Sequence, residues 1–533
     1  MDHGPSSEAE TGGKCMLGSN LGDLLRRRAL RNPVVEAVVD LTSGERVDFR
    51  ELNQRVNRVS HMLTGAGVKP GDRVGLLAST CIEFIETYYG SAKVGGVVVL
   101  LNWRLVADEL EYLLTDSGAT VLVFGAEFDD AVRVLHERGT TSVTTWIRIG
   151  PLAEGTGEAW GALSYAELVA TSSTDEPEIG AYGDDLLCLC YSSGTTGRPK
   201  GAMLSHEGQL FAILSQAASI DGFHLRDRYL VALPLFHLGG LLPLENAMYA
   251  GSTVVLMRAF DPVKIWDIIA AERIDSGLVV PSMLGAMLAA HDPSRHDHSS
   301  IKNLSVAAAP VPLMLLELCR DKGIGILQTY GLTEAGGPGT NLGADDAERK
   351  IGSAGCAYTL TDVMVARPDG SACEPGEHGE VLVRGRHLMK GYWNNPVATA
   401  ATIIDGWLHT GDIAVWDDEG FVTIKDRIKD MIISGGENIY PAEIENVILA
   451  HPSVREVAVI AQPSPRWGES PLAVVVRERD DLCAEDVLAW CDGKLARFKQ
   501  PKAVEFVDAI PRNPTGKALK RVLREQFPGT PVA

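Results

Sequence analysis

The sequence predicts an α/β fold, with a large N-terminal domain of mixed sheets covered by helices and a small α+β C-terminal domain. Three observations lead there. Short apolar runs alternate with amphipathic stretches of helical length, the pattern of a parallel or mixed sheet covered on both faces. At 533 residues the chain exceeds one ordinary core. Its character changes near Asp426, where a compact strand–helix pattern begins.

The elements follow in order. Met1–Lys14 is polar, rich in Gly, Ser and Glu, and lacks an apolar signal-peptide core, so residues 1–17 are expected to form a disordered tail. Arg73–Ala78, Val97–Leu101, Thr120–Phe124, Leu186–Cys190, Tyr229–Leu233, Thr253–Met257 and Gly277–Val280 read as short buried strands. Phe49–Leu63, Ile82–Val94, Pro262–Ala271 and Pro312–Cys319 carry helical periodicity. Asp417-Asp418-Glu419-Gly420 is a turn leading into a strand at Phe421–Lys425. A linker is expected at Asp426–Asp430, dividing residues 18–427 from residues 428–533. Beyond it, Pro441 suits the first position of a helix that aligns Ile444, Val447 and Ile448. Strands at Glu456–Ile460 and Leu472–Val476, a helix near Ala484–Leu495 and a terminal helix complete the small domain.

Bulk properties narrow the function. Apolar content of 45% and charged content of 22% are those of a globular protein. A formal charge of −21, with no basic domain to offset it, opposes nucleic-acid binding. Nine cysteines at irregular spacing offer neither a disulfide framework nor zinc-ligand pairs, and Cys188 and Cys190 read as small core residues. The run nearest to a membrane span, Leu230–Leu244, is short and broken by Pro234, His237 and Pro243. The terminal Thr-Pro-Val-Ala is not a peroxisomal address. A cytoplasmic location is expected.

Chemistry concentrates first in Tyr191–Gly201, reading Tyr-Ser-Ser-Gly-Thr-Thr-Gly-Arg-Pro-Lys-Gly after an apolar strand. Gly194 and Gly197 free backbone N–H groups for an anion nest, Ser192, Ser193, Thr195 and Thr196 add hydroxyl donors, and Lys200 adds mobile positive charge. This reads as a nucleotide-phosphate loop, although the Walker A spacing is absent. A second cluster is Gln328-Thr329-Tyr330-Gly331-Leu332-Thr333-Glu334, where Gly331 permits a turn, Thr333 can donate to phosphate and Glu334 is a hard oxygen donor suited to Mg²⁺. A third, Trp407–Asp412, sets the Asp412 carboxylate just beyond a glycine, where it can accept ribose hydroxyls. His291, His296 and His298 sit with Asp292 and Asp297 in a Pro/Ser loop and do not read as a metal site.

The ordered loop string resembles the signature of the acyl-adenylate-forming enzymes, the superfamily of acyl-CoA synthetases, luciferases and peptide-synthetase adenylation domains. The resemblance covers about residues 20–525, in order. Met389–Pro396 and Lys429–Pro441 make it closest to bacterial fatty-acyl-CoA synthetases of the mycobacterial type, and the latter string is also similar to halobenzoate-CoA ligases.

It implies the acyl-adenylating enzyme fold, with a mobile C-terminal domain, and the following roles. Nucleotide contacts fall to residues Ser192–Gly197 and Lys200, to Ala308, Ala309 and Pro310 against adenine, to Gln328, Thr329, Tyr330, Gly331 and Thr333, and to Asp412 and Arg427. Lys517, in Pro511-Arg512-Asn513-Pro514-Thr515-Gly516-Lys517, resembles the catalytic lysine, with Thr196, Glu334 and His237 as further catalytic residues; Glu334 and Thr196 would hold Mg²⁺. His237, in Pro234–His237, looks like a gate or wall of the acyl pocket, lined also by Gly239, Gly240, Gly331, Ala335 and Gly336. Lys429 takes the hinge position, and Gly435, Gly436, Trp467, Phe498 and Lys499 the CoA-binding positions.

The implied reaction uses ATP, Mg²⁺ and coenzyme A: a carboxylate attacks the α-phosphate to give acyl-AMP and pyrophosphate, and the CoA thiol then displaces AMP. Small residues at Gly239, Gly240, Ala335, Gly336 and Gly337 are expected to leave room for a bulky apolar acyl group, so a medium or long fatty acid is the first expectation. Coumarate- or benzoate-type acids are the alternative. A catalytically silent nucleotide or acyl binder is a third reading, opposed by the joint presence of Lys200, Glu334, Asp412 and Lys517. A luciferase-like monooxygenase is a fourth. Arg26-Arg27-Arg28 and Arg31 suit either weak peripheral membrane contact or a solvated helix face. The oligomeric state is left open, a homodimer among the options.

Overall fold

The computed structural model describes residues 19–150, 160–192, 198–220, 223–308, 311–347, 349–435, 437–512 and 518–529. Their strands form four sheets. A seven-stranded sheet runs in the order Leu163–Ser164, Thr145–Ile149, Val121–Gly125, Arg73–Leu77, Val97–Leu100, Leu186–Ser192, Lys200–Ser205, parallel except for the last pair. A nine-stranded sheet centres on the parallel strands Ile326–Leu332, Asn303–Val306, Ser276–Val279, Arg228–Val231, Thr253–Leu256 and Glu36–Asp40. Helices cover both, as the fully apolar central strands require.

Local sequence explains the boundaries. The helix Phe49–Gly65 starts at Asp48, whose carboxylate accepts the Glu51 N–H at 2.8 Å. Ile82–Val94 stops at Gly95, whose φ of +79° is left-handed and whose own added Cβ would meet the Gly180 backbone at 2.8 Å. The expected helix at Ala484–Leu495 is shorter, ending at Cys491, because Asp492 is extended and Gly493 turns at φ +73°.

The third sheet is antiparallel and joins Asp362–Ala366, Gly379–Arg384, Trp407–Trp416, Ile403–Ile404 and Val422–Arg427. It corrects the expected linker. Asp426 and Arg427 close a strand, in register with Ile413 and Asp412, and the turn lies beyond them. That turn is tight: the Asp430 and Met431 N–H groups both donate to the Arg427 carbonyl at 3.0 Å. The fourth sheet begins at Ile432–Ser434 and holds the long hairpin Val454–Ser464/Gly468–Arg477, covered by the helix Pro441–Leu449. Its two faces pack separate apolar clusters, around Val459 and Val475 on one side and Ile460 and Val474 on the other.

No helix among the described residues is long and apolar enough to cross a membrane. The N-terminal arginines already have partners. Asp23 takes Arg26 at 2.5 Å and Arg27 at 2.7 Å, and Arg28 donates to the Tyr249 carbonyl and to Asn32.

Candidate active site

Parallel strands expose loops at their carboxyl ends, and the two large sheets bring theirs together. From the seven-stranded sheet, Leu186–Ser192 and Lys200–Ser205 form an antiparallel pair in which Ser192 lies opposite Lys200. From the nine-stranded sheet, Val306 is in register with Gln328, so the Ala307–Ala308 segment leaves its strand beside Thr329 and Tyr330, which stay paired with Asn341 and Thr340. Arg228–Val231 leads to His237 at the same edge. Cys190, in the first sheet, points its thiol at the Phe236 carbonyl at 3.8 Å, and burial, then the Glu334 carboxylate, push that thiol up to about 12.

Glu334 stands in the short 3-10 turn Thr333–Ala335 that follows the strand Ile326–Leu332. Its Oε1 accepts the Ser192 hydroxyl at 3.0 Å and the Tyr392 hydroxyl at 2.9 Å, and its carbonyl accepts the Met389 N–H at 2.9 Å. Lys200 Nζ sits 4.3 Å from the centre of the Tyr392 ring. Burial, then Glu334, hold the Tyr392 phenol protonated. Four residues before Glu334, within the preceding strand, Tyr330 donates to Asp412 Oδ2 at 2.7 Å. Asp412 is buried and its other oxygen lies 2.5 Å from Arg427 Nε.

Asp412 owes its aim to an irregular strand. His409 pairs with Leu382 but Ile413 pairs with Glu380, so extra residues bulge between them, with Gly411 at φ +71°. Glu380 braces the bulge, accepting the Gly411 N–H at 2.9 Å and meeting His409 Nδ1 at 2.7 Å. Ala308 is another special position, a non-glycine residue at φ +73°, a conformation that costs of order 1–3 kcal/mol and persists where the surroundings over-determine it. Gln328 is buried with its Nε2 lacking a protein partner among the described residues.

His237 precedes the helix Leu238–Ala250. Its ring is 4.4 Å from Phe236, which meets Trp103 edge-on at 6.1 Å; Trp103 in turn stacks on Phe128. Its Nε2 is buried without a partner among the described residues, and burial, then the Arg104 cation, push the imidazolium down to about 4, so the ring is neutral at pH 7.

The small residues behave differently from expectation. A Cβ on Gly240 would meet the Pro234 carbonyl at 2.4 Å, one on Gly336 the His387 carbonyl at 2.2 Å, and one on Gly337 the Leu242 side chain at 2.4 Å. Gly331 would strike the Gly337 carbonyl at 1.7 Å, and Ala335 is fully buried. Protein packing fills the space at these positions, and only Gly239, with Leu233 at 3.4 Å, has ordinary clearance.

In the small domain, Gly435 adopts φ +62°, donates its N–H to the Trp467 carbonyl at 2.8 Å and lies so close to the indole that a Cβ would be 2.9 Å away. Trp467 and Phe498 are exposed, while Lys499 pairs with both Glu443 oxygens at 2.8 Å. Lys429 is half-buried and its ammonium is pushed down by burial, offset in part by Asp430. Ser193, Gly194, Thr195, Thr196, Gly197, Ala309, Pro310, Gly436 and Lys517 lie outside the described residues. Sequence reasoning gives Tyr392 no role of its own and misses Glu380 altogether; both act on partners distant in sequence, and no local signal marks them.

Comparison with known proteins agrees with this geometry. Residues 25–393 match the family described as AMP-binding enzyme, and residues 443–517 match the AMP-binding enzyme C-terminal domain. The chain is 43% identical over 514 residues to the long-chain-fatty-acid–CoA ligase FadD13 of Mycobacterium tuberculosis, covering 96% of this chain and 99% of that one. It is 40% identical over 515 residues to a feruloyl-CoA synthase of an Amycolatopsis species, with 96% and 100% covered. Among solved structures, a Mycobacterium tuberculosis fatty acyl CoA synthetase superimposes with a TM-score of 0.77 at 41% identity, over 95% of this chain and 98% of that one. The o-succinylbenzoate CoA synthetase of Bacillus subtilis, in complex with ATP and magnesium ion, gives 0.82 at 33% identity, over 94% and 99%. Two matched domain families in order and full-length identity above 40% place the chain in the AMP-binding enzyme family, as an AMP-forming acid–thiol ligase that makes acyl-CoA.

Proposed function

We propose that the chain activates a medium- or long-chain fatty acid with ATP as acyl-AMP and passes the acyl group to CoA, with residues 18–427 binding nucleotide and acid and residues 428–533 delivering Lys517. One observation carries the nucleotide assignment. The strand Ile326–Leu332 ends so that Tyr330 reaches Asp412 while Glu334 meets Ser192 and Tyr392, so one short stretch of backbone contacts both a ribose-type acceptor and a phosphate-side cluster. Asp412 takes the ribose hydroxyls, and Ser192, Thr196 and Lys200 face the phosphates.

Glu334 fits Mg²⁺ by donor chemistry: it is a hard carboxylate oxygen, and Mg²⁺ is commonly held by one or two carboxylates plus nucleotide phosphates. When bound, the ion neutralises phosphate charge. The residues then act by placement. Ser192 and Tyr392 orient Glu334, Lys200 lies against Tyr392, and neutral His237 closes the acyl side beside Phe236. Rotation of the small domain about Lys429 exchanges the Lys517 face for the Gly435–Trp467 face during thioester formation. Glu334→Gln is expected to raise the Mg²⁺ concentration needed for half-maximal AMP formation by roughly tenfold or more, consistent with loss of a charged ligand; unchanged Mg²⁺ dependence in a titration would remove Glu334 from the metal role.

The fatty-acid assignment is supported by the 43% identity to a long-chain-fatty-acid ligase. A second reading, an aromatic acid, is favoured by the Trp103–Phe128–Phe236 cluster beside His237 and by the feruloyl-CoA synthase relative. CoA-dependent AMP release with palmitate and with 4-coumarate, side by side, separates them. Palmitate should give at least a tenfold higher kcat/KM, and a coumarate preference would move the enzyme to aromatic acids. A cytoplasmic site of action, without nucleic-acid partners, completes the reading.

A further inference from the structure

The helix Ala107–Ser117 belongs to none of the motifs above, yet one turn of it touches three chain segments that build the site. Tyr191, the residue before Ser192, donates its hydroxyl to Asp116 Oδ2 at 2.6 Å. Tyr112, one helical turn earlier, donates to the Pro199 carbonyl at 3.1 Å, and the Arg198 guanidinium lies 5.1 Å from its ring centre. The Asp116 carbonyl accepts Trp393 Nε1 at 3.0 Å, next to Tyr392. Residues four apart share a helix face, so Tyr112 and Asp116 point at these partners together.

These contacts bracket the chemistry. Ser192 follows Tyr191, Lys200 follows Pro199 and Tyr392 precedes Trp393; Ser192 and Tyr392 both donate to Glu334, and Lys200 lies against the Tyr392 ring. The Trp393 backbone N–H also donates to the Gly201 carbonyl at 2.7 Å, so the segments are laced to each other as well as to the helix. We propose that Tyr112 and Asp116 are positioning residues for nucleotide activation, holding Ser192, Lys200 and Tyr392 in register around Glu334. They act through these segments rather than on the nucleotide itself. Their work is to remove freedom from segments whose ends must be placed to within a fraction of an ångström, and misplacement of that size costs rate out of proportion to the strength of a single hydrogen bond.

This inference rests on the reading of Ser192 and Lys200 as phosphate-facing groups, and the test separates the two. Tyr112→Phe and Asp116→Ala each delete one hydrogen bond and leave the apolar packing in place. In the acyl-AMP-forming half-reaction, each should raise KM for MgATP about fivefold, and the double variant more than about twentyfold, the range expected when one and two hydrogen bonds are removed. Thioester formation from supplied acyl-AMP should stay at the wild-type rate, and Asp116→Asn, which keeps an acceptor for Tyr191, should restore KM. A merely structural helix would slow both half-reactions alike. Lys200→Ala is the control. If it raises KM for MgATP while the double variant leaves it unchanged, the positioning role is overturned and the phosphate assignment stands. If Lys200→Ala also leaves KM unchanged, both fall.

Discussion

Lys517→Ala should lower acyl-AMP formation by roughly 10²–10³-fold and leave thioester formation from supplied acyl-AMP within about twofold of wild type. Attack on the α-phosphate gathers negative charge on oxygens that an ammonium can meet, and removing one such donor costs about 3–4 kcal/mol. Thioester formation, by contrast, releases AMP and, on the proposed rotation, calls on the opposite face of the small domain. The chain after Lys517 is anchored for such a swing. In the helix Lys520–Gln526, Lys520 pairs with Glu445 at 2.8 Å and Arg524 with buried Asp430 at 2.7 Å, one residue from Lys429. Pyrophosphate exchange and single-turnover thioester formation, measured on one preparation, check the division. Equal loss of both half-reactions would overturn it.

A second large effect concerns stability against pH. Glu245 is fully buried on the helix that follows His237, where Tyr88 donates to its Oε1 at 2.5 Å while Oε2 has no partner among the described residues. Burial pushes its carboxyl up to about 8, from an ordinary 4.5. Between those values the folded chain holds a proton that the unfolded chain has released, so stability falls as pH rises through the window and levels off above pH 8. Glutamine cannot ionise and still accepts the Tyr88 hydroxyl. Glu245→Gln should therefore be about 1 kcal/mol less stable than wild type near pH 5, where its amide gains no partner, and more stable at pH 8 by on the order of 2–3 kcal/mol. Glu86, raised to about 7 by burial against the pull of the Tyr165 hydroxyl it accepts, adds a similar slope that ends near pH 7, so the interval from 7 to 8 isolates Glu245. Urea midpoints at pH 5, 7 and 8 provide the comparison. Parallel wild-type and variant curves would show that Glu245 is ionised in the fold.

Much of the architecture is legible locally. Ile82–Val94 and the start at Pro441 coincide with the observed helices because an apolar face, a terminal glycine and a first-turn proline act over a few residues. The expected linker is misplaced for an equally local reason. Asp426 and Arg427 look like the start of a polar connection, but pairing with the Asp412 strand supplies the hydrogen bonds and the ion pair that make them strand. The glycines read as open space and are not, since a missing side chain says nothing about what approaches it, and at Gly240, Gly336 and Gly337 protein does.

What the amino-acid sequence determined by itself is the chemistry available: the hydroxyl, glycine and lysine string from Ser192 to Lys200, a hard carboxylate at Glu334, another at Asp412, and a periodicity that could only build covered sheets. What the tertiary structure alone decided is who meets whom. Ser192 and Glu334 are 142 residues apart, Tyr330 and Asp412 82, and Tyr191 and Asp116 75. Such contacts arise from sheet register and from the packing of sheets and helices against one another. Those are set by the burial of many side chains at once, so no short stretch of sequence encodes them.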